Sequence, residues 1–427
     1  MLHYFRQPPF ERSLLLLKLE NALTSTIFDM PIITLFWQIS LGMSWGQIVA
    51  LQLIFMAVMI MANVPTGYLA DRYSPRLANL VGDVIATGGW LLYALAPNFA
   101  VAVIAEVVLG LGMATSSDAD RSLVKWYTVR LVPAYRRPNE SDEQTAHRLY
   151  DHHQGQMELI RVATNIPSML IGGWLGLAGA RLGMAATGTL TVLGAITTYF
   201  LYETGPLLPN RNSTGERTSV WKLTLEAWRD MWRITREAFR PPYRLAWALA
   251  AQAIGAEFTH ASVWLLSPML VAVHVPTAVI GAAWAGNFAL TSLGKRLPSI
   301  KPLRKWYLRT QPATLFAIGA VMALTAMATF SLSVNAGTIW LFGLMGLTRG
   351  WFGRVSSPII QRETPADRRS TIGSLGSTLY RLLYMAPMLL LWLTSGQGFE
   401  AMYRWQLALF LPLTLAVYLG LRRSFRR

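Results

Sequence analysis

Residues 67–76 read Gly67-Tyr68-Leu69-Ala70-Asp71-Arg72-Tyr73-Ser74-Pro75-Arg76, a short charged stretch between two long apolar runs, 46–66 and 77–96. Each run is long enough to cross a bilayer as a helix, which takes about 20 apolar residues. The stretch is therefore expected to be a tight loop at a membrane face. Gly67 lets two helix ends approach closely, Asp71 can accept from free amides at a neighbouring helix N-terminus, and Arg72 and Arg76 hold the loop on the cytoplasmic side.

Composition agrees with a membrane setting. Of 427 residues, 53% are hydrophobic and 14% charged, with a mean hydropathy of +0.35. A soluble chain carries about a quarter charged residues, so the chain reads as an all-α polytopic membrane protein. It has no cysteine, which excludes disulfides, thiolate metal sites and cysteine nucleophiles. The stretch 1–13 contains Arg6, Glu11, Arg12 and two prolines ahead of an apolar run too long for a signal-peptide core, and is read as retained. A net charge of +16 would suggest nucleic acid if taken in bulk. Its distribution points instead to topology.

Apolar runs fall near 14–39, 46–66, 77–96, 98–120, 158–180 and 183–202, then near 245–271, 277–294, 311–331, 337–360, 370–395 and 401–421. This is six plus six. The odd-numbered connectors hold only Arg181 and Arg404 as basic residues, whereas the even-numbered ones are rich in Arg and Lys, including Lys295, Arg296, Lys301, Arg304, Lys305 and Arg309 in the eighth. By the positive-inside rule, both termini and every even connector are cytoplasmic. The expected organisation is a bundle over 1–203, a linker over 204–243 and a second bundle over 244–427. In the linker, Trp221, Leu225, Trp228 and Trp232 recur at helical spacing beside Lys222, Arg229 and Arg233, which predicts an amphipathic helix lying on anionic lipid. The fourth connector, with His147, Asp151, His152 and His153, matches no established metal spacing and is read as a surface loop.

Gly67, Leu69, Ala70, Asp71, Arg72 and Arg76 resemble the G-x-L-A-D-R-x-x-x-R signature that major facilitator superfamily transporters carry between their second and third helices. Three further stretches extend the resemblance. Gly110, Gly112 and Ala114, followed by Ser117, Asp118, Asp120, Arg121 and Leu123, are similar to the family's fourth-helix ending, although Asp118 and Arg121 depart from its Gly and Glu. Arg369-Ser370-Thr371-Ile372-Gly373-Ser374 is similar to the opening of the eleventh helix, and Gly294-Lys295-Arg296-Leu297-Pro298 occupies the place of a second copy of the signature without its acid. Pro167 and Gly172-Gly173 do not complete the family's antiporter motif. The resemblance implies twelve transmembrane helices in two pseudo-symmetric six-helix bundles, with the first, fourth, seventh and tenth helices lining a central cavity. Gly67, Asp71, Arg72 and Arg76 would then act as a conformational gate.

Ionisable side chains inside a spanning helix are functional candidates, since they need a wet cavity or a partner. The cavity helices hold Asp29, Glu106, Glu257 with His260, and Arg349, and Arg381 follows on the eleventh. Asp29 and Glu106 fall at similar depth, while Glu257 and His260 lie three residues apart on one helix face. Asp29 and Glu106 can equally accept structural hydrogen bonds, and Arg381, between Tyr380 and Tyr384, can be a brace. Asp83 is expected to pair with the Gly67 loop, and Trp37, Trp90, Trp174 and Trp392 to anchor the interface. Phe28, Phe36, Trp264, Trp284 and Tyr384 are candidates to line the cavity.

The expectation is a proton-coupled secondary transporter of a small organic solute in the cytoplasmic membrane, a monomer without cofactor or nucleic-acid partner. Export is the direction commoner in the family. Transport of a metal ion or metal chelate through Asp29, Glu106, Glu257 and His260 is the alternative, and a non-transporting sensor is the alternative of another class. No nucleophile elbow, zinc-protease motif or phosphate loop is present, so an enzyme is not expected.

Overall fold

The structure, a computed structural model, describes residues 9–72, 74–117, 119–203, 220–364 and 369–425. Helix α1 spans Pro9–Thr24, after which the first apolar run breaks: 25–32 are non-helical before the short α2, Ile33–Leu35, which widens into a π turn over Phe36–Ser40. The expected continuous helix over 14–39 is thus corrected. Thr24 and Thr26 turn their hydroxyls back onto the Glu20 and Ala22 carbonyls at 3.0 and 2.7 Å, and Pro31 brings no amide to continue the ladder.

Helix α3 spans Trp45–Arg72 and opens on a reciprocal cap: the Gln47 amide donates to Ser44 Oγ and the Ser44 amide to Gln47 Oε1. Because α3 runs through Arg72 and α4 (Pro75–Leu95) begins at Pro75, the charged stretch is mostly a helix end rather than a loop. Ser74 caps α4, accepting from the Leu77 amide at 2.9 Å, and proline at the first helical position fits the fixed φ of that site.

Helices α5 (Phe99–Ser116), α6 (Ala119–Tyr135), α7 (Asp142–Ala178) and α8 (Ala180–Tyr199) follow. The fourth connector is therefore largely helical, not a surface loop. Leu123, Val124, Trp126, Tyr127 and Leu131 recur at helical spacing on α6 and pack with Leu14 and Leu17 of α1 and Leu149 and Met157 of α7. Helix α7 starts on a second reciprocal cap between Ser141 and Gln144, with Asp142 and Glu143 favourably placed in its first turn. Arg148 clasps Glu140 at 2.9 and 3.0 Å, closing the turn between α6 and α7.

The linker helix α9 spans Val220–Ala238, and α10 to α16 span Arg244–Ala272, Thr277–Arg296, Lys301–Arg309, Pro312–Leu332, Phe342–Glu363, Arg369–Thr394 and Phe399–Ser424. Among the described residues, five helices are long and apolar enough to cross a membrane: α3 over Trp45–Asn63, α4, α5, α13 and α16.

The chain divides into two compact units. The first comprises Met1–Asp29, Ala57–Ser168 and Gly179–Trp228; the second comprises Met30–Met56, Met169–Ala178 and Arg229–Arg427. In the first, α4 packs between α5 and α8. A Cβ added at Gly112 of α5 would fall against the Ala86 backbone of α4, so glycine is what lets these helices touch. In the second unit α10 is central, packed on α14, α15, α16 and α2. Phe258 of α10 lies 5.8 Å from Phe352 and 5.0 Å from Phe410, ring centre to ring centre. Because lipid is as apolar as these rings, close packing rather than exclusion of water holds them.

Candidate functional site

Helix α10 brings Glu257 and His260 onto one face, as their spacing predicts, with His260 Nδ1 3.8 Å from Glu257 Oε1. Glu257 is 0% exposed and neither of its carboxylate oxygens has a hydrogen bond. Helix α14 sets Arg349 within electrostatic reach of both groups, and α15 adds Arg381 beside His260. Arg349 is exposed while Arg381 is buried. Arg349 thus acts on both the carboxyl group and the imidazole, and Arg381 on the imidazole and Tyr380.

An aromatic wall closes this cluster. His260 stacks on Tyr380 and bonds its hydroxyl through Nδ1, and its ring centre lies 4.6 Å from that of Tyr384. Trp264, one turn along α10, donates its indole N–H to the Tyr384 hydroxyl at 2.5 Å and lies 5.5 Å from Trp37. Trp37 is 0% exposed, so it is a packing residue and not the interface anchor expected from its place near a helix end. Trp174 and Trp392 are exposed, as an anchor would be. Ser267 continues the same face: its hydroxyl donates to the Pro31 carbonyl at 2.7 Å and accepts from Trp284 at 2.9 Å. The segment carrying Pro31 and Trp37 is thereby fastened to α10 through side chains one to two turns from His260.

The acids of the first unit have different surroundings. Asp29 lies in the break after α1, buried, where Thr187 of α8 donates to Oδ1 at 3.0 Å and Oδ2 has no partner. Glu106 is buried on α5. Glu20 and Asp83, by contrast, are neighbours, with Asp120 of α6 beside both. Thr24 and Asn79 donate to Glu20. Asp83 therefore has Glu20 and Asp120 as acidic neighbours, while the side chains of the Gly67 stretch with which it was expected to pair lie outside the described residues. Sequence reasoning passed over Glu20, although its place four residues before Thr24 inside an apolar run marks it by the same rule as Asp29.

The side chains of Gly67, Asp71, Arg72 and Arg121, and all of Asp118, lie outside the described residues. Arg76 is described: its amide bonds the Glu203 carboxylate, to which Ser74 also donates. Burial pushes the Glu203 pKa up, and Ser74, Arg76 and Arg130 pull against that shift. His153 is shifted down to about 4 by burial first and by Lys18 and His152 second. No group of three or more His, Asp or Glu side chains is arranged to hold a metal ion among the described residues.

Five helices long and apolar enough to cross a membrane, with charged groups buried among the described helices, point to a multi-pass membrane protein. Comparison of the fold with solved structures agrees. The nucleoside transporter NupG (D323A mutant) superposes with a TM-score of 0.69 over 97% of this chain and 100% of its own, at 12% identity. A POT family transporter in complex with 5-aminolevulinic acid gives 0.73 over 96% of each chain at 12% identity, and a bacterial homologue of the human lysosomal transporter Spinster gives 0.65 over 98% and 93% at 16%. The fold is that of the major facilitator superfamily transporters. No protein-family model and no curated protein matches the sequence.

Proposed function

We propose that the chain is a proton-coupled secondary transporter of the cytoplasmic membrane that moves a small organic solute carrying an anionic group. It would work by alternating access of two duplicated halves, 1–203 and 244–427, joined by the linker 204–243. The observation that carries the reading is Glu257, fully buried, without hydrogen bonds, next to His260 and within reach of Arg349, with Arg381 beside His260.

In this reading Glu257 takes up and releases the coupling proton, and Arg349, His260 and the Tyr380 hydroxyl receive the anionic group of the solute. With Glu257 ionised, its carboxylate competes with the solute for the cations; protonation frees them. The aromatic faces of Tyr380, Tyr384 and Trp264 suit the apolar body of the same solute. A POT family transporter of this fold was solved with 5-aminolevulinic acid, a small carboxylate-bearing solute, which fits that class. The break in the first span at Asp29 adds support, since discontinuous membrane helices supply binding groups in many secondary transporters. Two guanidinium groups beside Glu257 and His260 disfavour a free metal cation as cargo.

The test is solute-driven pH change in proteoliposomes, comparing wild type with Glu257→Gln and Arg349→Gln. Coupled flux lost with Glu257→Gln and solute binding lost with Arg349→Gln are the expected results. Undiminished proton flux in Glu257→Gln contradicts the assignment.

A further inference from the structure

The eighth connector has the bases of the charged signature but not its acid, and the proposed transport cycle leaves it unused. In the structure it forms a single turn of 3-10 helix, Leu297–Ser299, followed by α12. Lys301, Arg304 and Lys305 lie at i, i+3 and i+4 and are exposed, while Tyr307 faces inward, 5.9 Å edge-on from Trp351 of α14. No acid occurs between Lys295 and Arg309.

Between α12 and α14 lies an open recess of about 280 Å³, lined by Ser299, Arg304, Tyr307, Leu308, Arg354 and Pro298 among others. Its floor is built. Arg354 donates from Nε to the Lys295 carbonyl at 3.0 Å and from one terminal nitrogen to Ser299 Oγ at 2.9 Å. The Tyr307 hydroxyl donates to the Arg354 carbonyl at 2.6 Å. Arg354 is thus held in place with donors to spare, and Arg304 also lines the recess.

The position of the recess along the chain says what meets it. Only Thr310 and Gln311 separate α12 from α13, a candidate membrane span. Helix α12 therefore lies where that span leaves the bilayer, at headgroup level. Trp306 is 44% and Leu308 71% exposed, apolar groups that belong at such a boundary beside exposed cations. Charge, depth and amphipathic exposure agree on one occupant.

We propose that the recess between α12 and α14 is a binding site for the phosphate headgroup of an anionic phospholipid, with Arg304 and Arg354 as its phosphate ligands. Lys301 and Lys305 extend the positive field over neighbouring headgroups, and Trp306 and Leu308 insert among the acyl chains. The recess shares no lining residue with the Glu257 cluster, and lipid binding is read without any transport assay.

Native mass spectrometry of the full-length detergent-solubilised protein tests this, with phosphatidylglycerol, phosphatidylcholine and inorganic phosphate titrated in turn. Wild type should bind a first phosphatidylglycerol more tightly than phosphatidylcholine, and Arg304→Gln should weaken it about fivefold, the scale of one basic residue at an anionic surface. Arg422→Gln, which removes an equal charge elsewhere, should leave it unchanged. Arg304 is exposed, and an unchanged unfolding midpoint of Arg304→Gln in the same detergent separates loss of the lipid from loss of fold. Equal binding of the two lipids, wild-type affinity in Arg304→Gln, an equal loss in Arg422→Gln, or inorganic phosphate bound as tightly as the lipid would each overturn the proposal.

Discussion

Glu257 in the second unit and Glu20 in the first are both buried carboxyl groups, 0% and 4% exposed, in opposite company. Glu20 receives hydrogen bonds from Thr24 and Asn79 and has Asp83 and Asp120 as its charged neighbours. Glu257 receives no hydrogen bond and is faced by an imidazole at 3.8 Å and by the Arg349 guanidinium. A carboxyl group fixed by hydroxyl and amide donors keeps its place when an amide replaces it. One held by charge alone changes its attraction to its neighbours whenever a proton comes or goes. In the proposed reading Glu257 is the switch of the second unit and Glu20 a brace of the first.

The largest effect separates the two directly. Glu257→Gln should bring proton-coupled flux down to that of protein-free vesicles, whereas Glu20→Gln, whose amide oxygen accepts the same two hydrogen bonds, should keep it; flux assays in proteoliposomes decide. If Glu20→Gln is instead the variant that loses flux, the roles are reversed. Next in size is Trp126→Ala, which empties a fully buried site in the α1, α6 and α7 core and should cost about 3–5 kcal/mol. Thermal unfolding in detergent measures it, and a change near zero would deny the bracing role of α6.

A smaller effect is expected where the second unit fastens Pro31. Ser267→Ala leaves a carbonyl and an indole N–H without their partner and should cost about 1–3 kcal/mol. Unfolding midpoints check that figure, and an unchanged midpoint would mean the Ser267 bonds do not hold the segment to α10. The smallest lies at the exposed turn before α7. Arg148 holds the Glu140 carboxylate down to about 2, below its ordinary value, so the clasp contributes fully above about pH 4.3 and is lost as pH falls through about 2. Limited proteolysis between α6 and α7 should therefore be flat from about pH 8 to 5 in wild type and faster throughout in Glu140→Gln.

Much of this fold was legible because bilayer thickness imposes apolar runs of a fixed length, and because a signature such as Gly67–Arg76 needs no knowledge of packing. The Glu257–His260 pair was legible for the same local reason, a spacing of three on one helix. What escaped was set at short range by caps and at long range by contact. Ser141 and Gln144 start a helix where polarity suggested a loop, and the pattern Ser-x-x-Gln was there to be read. Leu123, Trp126, Tyr127 and Leu131 carry a helical period that connector polarity masked. The company of Asp83, from α1 and α6, and the burial of Trp37 against Trp264 depend on tertiary packing that no local pattern encodes.

The central claim is that a proton on Glu257 is exchanged during transport. The internal pH of proteoliposomes holding wild type, Glu257→Gln or Glu20→Gln, followed while pools of small organic anions are imposed as gradients, tests it most directly. The account predicts solute-dependent pH change in wild type and Glu20→Gln and none in Glu257→Gln with the protein still folded. Solute-driven proton movement of wild-type size in Glu257→Gln would contradict it.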